Sequence, residues 1–204
     1  MSLDAALAKL VDGVSELSRR QAAAVFSLCG EALFPLYEEF VRETGWGDPA
    51  AVLAAKTLAL DFAIGGEVRN PEALDLLEKL ASASPDGEEF DAPGSTYAQD
   101  VVICVDAALR ATIDSEPIRP EWIEFAVEPI TQFVCEDQTG FLDLGGDGEA
   151  DAWKRQALAD ERLRRAFEGV NALISRIRTS HFVAIEDLGE LRVIASHLVP
   201  RRSN

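Results

Sequence analysis

Apolar side chains recur every three or four residues along most of the chain, a spacing that places them on one face of an α-helix. The clearest case runs from Ser18 to Thr44, and its apolar positions are Ala22, Val25, Phe26, Cys29, Leu33, Leu36, Tyr37 and Phe40. Charged residues fall on the opposite side, namely Glu38, Glu39, Arg42 and Glu43. The pattern predicts a long amphipathic helix around which the other elements are organised.

Pro35 lies inside this predicted helix. Proline has no N–H, so the carbonyl of Glu31 loses its helical hydrogen bond, and the proline ring crowds the preceding turn. We therefore expect the helix to bend at Pro35. The carboxylate of Glu31 then lies beside an unpaired carbonyl, a setting in which water, an arginine or a cation can bind.

The same spacing predicts further helices, at about 3–16, 49–65, 70–80, 97–113, 120–138, 152–178 and, shorter, 186–198. Asp48 before Pro49 is a strong start signal, because aspartate caps a first turn and proline fits the first helical position. Pro129 interrupts the segment 120–138 and indicates either one bent helix or two shorter ones. The apolar stripe keeps its phase across Pro129, which favours one bent helix.

Two acidic stretches rich in Gly, Ser and Pro lack this periodicity and are predicted to be mobile loops, near 82–96 and 137–151. Alternating strand patterns, internal repeats and linkers are absent from the sequence. The sequence therefore predicts one all-α domain over residues 1–204, a multi-helix bundle of about seven helices. Its kinked central helix, Ser18–Thr44, is expected to pack against the apolar helix Tyr97–Ile113.

The charge balance is strongly acidic, with 36 Asp and Glu against 19 Lys and Arg, a net charge of −17. Such a surface repels nucleic acids and anionic membranes, so we expect neither as a partner. Residues 151–204 carry a net +3 and residues 1–150 a net −20. Either the basic segment packs on the acidic body, or the acidic face stays free for a basic partner.

Cysteine usage and the first residues predict a cytoplasmic protein. Cys29, Cys104 and Cys135 lie far apart in apolar helical patterns, as expected for reduced thiols rather than a disulfide framework. The first residues, MSLDAALAKLVDGV, lack a basic start and a long apolar run. No stretch approaches the roughly 20 apolar residues of a membrane span.

Motifs for metal binding and nucleophilic catalysis are missing. His181 and His197 have no cysteine or carboxylate at the spacing of a zinc or di-iron site, and neither can be tied to a serine or cysteine nucleophile. The stretch 147–151 departs from a calcium loop because Ala152 replaces the required glycine. We therefore predict no catalytic residue, no metal and no cofactor, and an enzyme is disfavoured.

Asp100 lies beside the apolar face of the helix predicted at 97–113. A carboxylate there needs a donor, from a loop backbone or an arginine. Glu31 borders the other central helix, so the two carboxylates could meet in the core, and one would then titrate abnormally. Together with Pro35, Tyr37 and Asp48 they make up the candidate ligand or partner site.

Residues 18–110 resemble the bacterial YjaG-like family, also called domain of unknown function 416. The resemblance rests on Gln21, Ala22, Phe26, Glu31, Pro35, Tyr37 and Phe40, then Gly47-Asp48-Pro49, then Phe90-Asp91, Gly94, Ala98 and Asp100. The chain departs from the family pattern where Gly30 separates Cys29 from Glu31, and around Thr96 and Tyr97. The resemblance implies an all-helical soluble fold without an established activity, and it marks Glu31, Pro35, Asp48 and Asp100 as pattern residues.

Three hypotheses for function follow. The first is a non-catalytic protein that acts through protein–protein contact, an acidic inhibitor or immunity-like protein that masks a basic partner. The alternative is an enzyme or small-ligand binder that uses Glu31 and Asp100 near the Pro35 bend. The third is a homodimer joined through opposed acidic and basic regions.

Overall fold

The computed structural model describes residues 1–86, 90, 94–139, 147–179 and 183–199. Within these residues the chain forms nine α-helices and no β-strand, which confirms the predicted all-α fold. The helices are α1 (Leu3–Ser15), α2 (Arg19–Thr44), α3 (Pro49–Ala63), α4 (Asn70–Ala83), α5 (Ser95–Arg110), α6 (Glu124–Thr139), α7 (Asp147–Gln156), α8 (Glu161–Arg178) and α9 (Leu188–Ala195). Short 3₁₀ turns precede α6 and α9 and follow α7 and α9.

The helix predicted over 152–178 is in fact divided between α7 and α8. Asp160 separates the two with an extended backbone, ψ 126°, and its carboxylate accepts the N–H of Arg162 at 2.8 Å. This cap begins a new helix because it satisfies an N–H that the first turn leaves unpaired. The apolar spacing keeps its phase across the break, so periodicity alone predicts one helix.

Helices occupy the ends of both predicted loops, and the mobility of these loops remains a prediction. Residues 82–83 and 95–96 belong to α4 and α5, and residues 137–139 and 147–151 belong to α6 and α7. Of the remaining loop positions, 84–86, 90 and 94 are described and lie outside the helices, whereas 87–89, 91–93 and 140–146 lie outside the described residues. Composition overestimates these loops because Ser, Asp and Gly are favoured at helix ends as well as in turns.

Helices α2 and α5 form the centre of the fold, and α2 also contacts α3, α6, α8 and α9. Gly30 permits the close approach of α2 to α5, because a Cβ at this position would lie 2.8 Å from Cγ2 of Val105. The thiols of Cys29 and Cys104 are buried at this contact. Burial raises the pKa of Cys29 to about 12, so its thiol stays protonated.

The central helix is continuous from Arg19 to Thr44 and passes through Pro35. Ser18 and Gln21 form a capping box at its start, in which each side chain accepts the backbone N–H of the other residue. The bend at Pro35 remains a prediction. Helix α6 likewise continues through Pro129, which confirms one helix there rather than two.

The basic C-terminal segment packs on the acidic body. Four of its cations form ion pairs with acids from residues 1–150, in the pairs Arg192–Glu31, Arg178–Glu16, Arg162–Asp137 and Lys154–Asp4. The interpretation of the charge asymmetry as contact within one chain is therefore confirmed. None of the helices in the described ranges is both long enough and apolar enough to cross a membrane.

Candidate functional site

Glu31 links three helices through two cations. Its Oε2 lies 3.3 Å from Nζ of Lys56 on α3, and its Oε1 accepts Nε–H of Arg192 on α9 at 2.7 Å. Burial by itself would raise the pKa of Glu31, but the hydrogen bond from Arg192 and the charge of Lys56 outweigh it and hold the pKa below its ordinary value. Glu31 is therefore ionised, and its charge is balanced within the fold.

Asp100 has acidic neighbours, whereas the neighbours of Glu31 are cations. Its residue surface is 4% exposed, and its Oδ2 has no hydrogen-bond partner in the described part of the chain. The charged groups that act on its carboxyl group are Glu128 and Glu124, both from α6. Burial, reinforced by these two carboxylates, raises the pKa of Asp100 to about 8. At neutral pH its carboxyl group is mostly protonated.

Glu31 and Asp100, the two carboxylates that could meet in the core according to the sequence, have different charged neighbours. Both charged groups around Glu31 are cations, whereas both around Asp100 are acids. The donor expected for Oδ2 of Asp100 is not supplied by the described residues. Sequence reasoning missed Glu124 and Glu128, whose four-residue spacing puts them on one side of α6 but does not reveal which helix they face.

Metal binding finds no support in this region. Across the described ranges, no group of three or more His, Cys, Asp or Glu side chains could hold a metal ion. Asp100, Glu124 and Glu128 therefore do not form such a group. Asp100 thus contributes a buried carboxyl group with a raised pKa.

Tyr37 and Asp48 meet where α2, α3 and α4 converge. Tyr37 is fully buried, and its hydroxyl donates to the carbonyl of Ala83 at 2.7 Å and accepts the N–H of Asp48 at 3.0 Å. Burial raises the pKa of Tyr37. The carboxylate of Asp48 accepts the N–H of Ala51 at 3.0 Å, so the predicted cap of α3 is confirmed. Pro35 is exposed on the surface of α2.

An open cleft of about 600 Å³ lies beside this junction, between the turn at 45–48 and the C-terminal half of α4. Its lining includes Trp46, Asp48, Asp75, Glu78, Lys79 and Ser82. Nζ of Lys79 lies 2.7 Å from Oδ2 of Asp75, so one of three carboxylates is already paired. We call this region the acidic cleft.

Trp46 gives the acidic cleft an aromatic wall. Its ring packs against Phe90, with centroids 4.9 Å apart, and edge-on against Phe40 at 6.1 Å. These contacts fix the indole while leaving it partly exposed. Sequence reasoning missed Trp46, although a tryptophan directly after the helix-ending Gly45 was a usable signal.

A second cavity, of about 860 Å³ and open to solvent, lies between α1, the end of α7 and α8. Its charged lining consists of Lys9, Arg155, Arg164 and Glu168, and Leu158 and Phe167 contribute apolar surface. Three cations thus face one carboxylate in a chain whose net charge is −17. We call this region the basic cavity.

Comparison with known proteins supports the fold and does not specify an activity. No family model matches the chain, and no curated protein matches it. A solved structure of a DUF416 family protein from Shewanella baltica OS155 superposes with a TM-score of 0.67 and 20% identity, over 91% of this chain and 92% of that chain. The resemblance predicted from residues 18–110 is confirmed as a likeness of fold, and it extends over most of the chain.

Proposed function

We propose that the protein acts without catalysis and binds a basic segment of a partner protein in the acidic cleft. The observation that carries this proposal is the combination of Asp48, Asp75 and Glu78 with the indole of Trp46 in one open cleft. Lys79 balances one of the three carboxylates. The cleft therefore keeps a net negative charge that a lysine or arginine side chain would complement.

The aromatic wall adds a second contribution to recognition. A lysine or arginine head over a tryptophan face is stabilised by about 0.5–2 kcal/mol through the cation–π interaction. Phe40 and Phe90 already hold the ring of Trp46, so little side-chain entropy is lost when a ligand binds. The carboxylates attract the basic side chain of the partner, and the indole orients it.

The surface around the cleft favours the same kind of partner. The last turns of α2 expose Glu38, Glu39 and Glu43, and Arg42 is paired with Glu39 at 3.3 Å. Acidic surfaces of this kind accelerate association with basic proteins, and salt weakens the effect. A cytoplasmic setting agrees with the buried thiols of Cys29 and Cys104.

The enzyme alternative receives less support from the geometry. Lys56 and Arg192 engage the carboxylate of Glu31, and Asp100 is 4% exposed. A substrate would have to displace Lys56 and Arg192 from Glu31. It would also have to open the protein around Asp100. The acidic cleft requires neither change.

The test uses the full chain and a peptide of alternating lysine and arginine as the probe. Calorimetry at low salt compares the wild type with the double variant Asp75→Lys/Glu78→Lys, which reverses two charges in the acidic cleft. We expect the variant to bind at least about tenfold more weakly, because two attractive charges become repulsive. Binding to the wild type should weaken as salt is added.

The matched control is Glu121→Lys/Glu186→Lys, which makes the same change in net charge at two exposed positions elsewhere. It should keep most of the affinity for the peptide. Equal losses in both variants would show that net charge alone attracts the peptide and would contradict the proposal. The same three proteins can then be used in affinity purification, where a true partner is retained by the wild type and the control only.

A further inference from the structure

We propose that the basic cavity binds an organic anion, a molecule with an apolar body and a carboxylate or phosphate head. The cavity is separate from the acidic cleft, and the inference does not depend on the proposed function. Its volume of about 860 Å³ lies within the range of roughly 300–1,000 Å³ typical of small-molecule sites. The charges, the lining and the surroundings each favour this class of ligand.

Three separate elements bring cations to the cavity. Lys9 comes from α1, Arg155 from the last turn of α7 and Arg164 from α8. Within the described ranges, no carboxylate forms an ion pair with Lys9 or Arg155. Arg164 has a long contact of 3.8 Å with Glu168, and both side chains are about half exposed or more. An exposed pair of this kind contributes little, so the site keeps positive charge.

Cations just outside the cavity form ion pairs with nearby acids. Lys154 is paired with Asp4, Arg162 with Asp160, and Arg165 with Glu161. In a chain with 36 acids and 19 basic residues, partners for a cation are plentiful. Unpaired cations that converge on one concave site therefore indicate an anionic ligand.

The apolar lining indicates the rest of the ligand. The exposed side chain of Met1 and the partly buried side chain of Leu158 line the cavity, and Phe167 contributes the little of its surface that is not buried. Such surface gains free energy when it is covered by a hydrocarbon or an aromatic ring. A small inorganic anion would leave it in water.

The net charge of −17 does not prevent binding. At physiological ionic strength, charges are screened over about 8 Å, so distant acids act weakly on a ligand inside the cavity. Three of the four charged side chains that line the cavity are cations. The local charge therefore decides which ligand enters.

The test measures binding of four probes to the full chain by calorimetry: dodecanoate, dodecyl phosphate, inorganic phosphate and dodecylammonium, all below their micelle concentrations. We expect the two dodecyl anions to bind with one-to-one stoichiometry, and the stronger of them identifies the preferred head group. Inorganic phosphate should bind at least about tenfold more weakly because it lacks the apolar body. Dodecylammonium should not bind to the basic cavity, so Lys9→Glu/Arg155→Glu should not weaken whatever affinity the acidic cleft gives it.

Variants locate the site. Lys9→Glu/Arg155→Glu should weaken dodecanoate binding at least about tenfold, and Lys9→Gln/Arg155→Gln should weaken it less. The control Arg165→Glu/Arg176→Glu makes the same charge change outside the cavity and should stay within about twofold of the wild type. Circular dichroism checks that each variant is folded. If Lys9→Glu/Arg155→Glu is not folded, Lys9→Gln/Arg155→Gln is used in its place.

Three results would overturn the inference. The first is failure of both dodecyl anions to bind with one-to-one stoichiometry. The second is a dodecanoate affinity that Lys9→Glu/Arg155→Glu leaves unchanged, which would show that apolar contact alone holds the ligand. The third is an equal loss of affinity in the cavity variants and the control.

Discussion

The hydroxyl of Tyr37 accepts the backbone N–H of Asp48 at 3.0 Å, and its proton is donated to the carbonyl of Ala83 at 2.7 Å. One buried oxygen thus joins α2 to the start of α3 and the end of α4. Tyr37→Phe keeps the ring and leaves both backbone groups without their partner. We expect a loss of about 1–3 kcal/mol in the free energy of unfolding, measured by urea denaturation. An unchanged midpoint would show that water replaces the hydroxyl.

Gly47 should tolerate substitution less well than Gly45, although both have a positive φ, of 115° and 69°. A Cβ at Gly47 would lie 2.7 Å from Oη of Tyr37 and 2.9 Å from Cγ2 of Val41, whereas nothing lies within 4 Å of one at Gly45. Gly45→Ala should cost about 1–2 kcal/mol through backbone strain alone. Gly47→Ala should cost more, because steric overlap is added. Equal losses in parallel urea titrations would contradict this account of the turn.

Asp100 should make stability depend on pH. Its folded pKa of about 8 lies above the ordinary value of 3.8, so between these values the folded protein holds a proton that the unfolded chain has released. This group therefore lowers stability as pH rises from about 4 to 8, by up to about 1.4 kcal/mol per pH unit. Asp100→Asn cannot ionise. Its stability advantage over the wild type should be smallest near pH 4 and largest at pH 8.

Urea unfolding of both proteins at several pH values between 4 and 8 measures this difference. Asp114→Asn is the control, because the side chain of Asp114 is 97% exposed. It should change the free energy of unfolding by less than about 0.5 kcal/mol throughout. A constant difference between Asp100→Asn and the wild type across the pH range would show that Asp100 is already ionised in the fold.

Glu31→Gln should destabilise the protein at neutral pH. The side chain of Lys56 is 13% exposed and would lose its charged partner, while Arg192 would lose its strongest acceptor. We expect a loss of about 1–2 kcal/mol at pH 7. The folded pKa of Glu31 is lowered, so its contribution is present above the ordinary carboxyl pKa and disappears as pH falls through the folded pKa.

Glu39→Gln provides the control for Glu31, because its pair with Arg42 joins two exposed side chains three residues apart. Such pairs contribute about 0–1 kcal/mol, so this variant should unfold close to the wild type. Thermal unfolding at pH 7 and pH 3.5 compares the stability of Glu31→Gln with that of Glu39→Gln. Equal stability of Glu31→Gln and Glu39→Gln at pH 7 would show that the link from α2 to α3 and α9 contributes little.

The sequence predicted most helices because their formation depends on local information. Asp48 and Pro49 specify the start of α3, and Gly45 specifies the end of α2, through groups within a few residues of each. The division at Asp160 was missed because a cap can interrupt a helix without disturbing the phase of the apolar stripe. Residues 82–96 and 137–151 were overestimated as loops because composition does not distinguish a loop from a helix end.

By itself, the sequence determined the all-α class, the central position of α2 and the acidic character of the surface, because apolar spacing and charge count are properties of the chain. Only the tertiary structure decided which charges meet. It placed Lys56 and Arg192 at Glu31, Glu124 and Glu128 near Asp100, and Lys9 and Arg155 in the lining of one cavity. Contacts between residues far apart in sequence depend on how whole helices pack, and a one-dimensional pattern shows the face of each helix but not its neighbour.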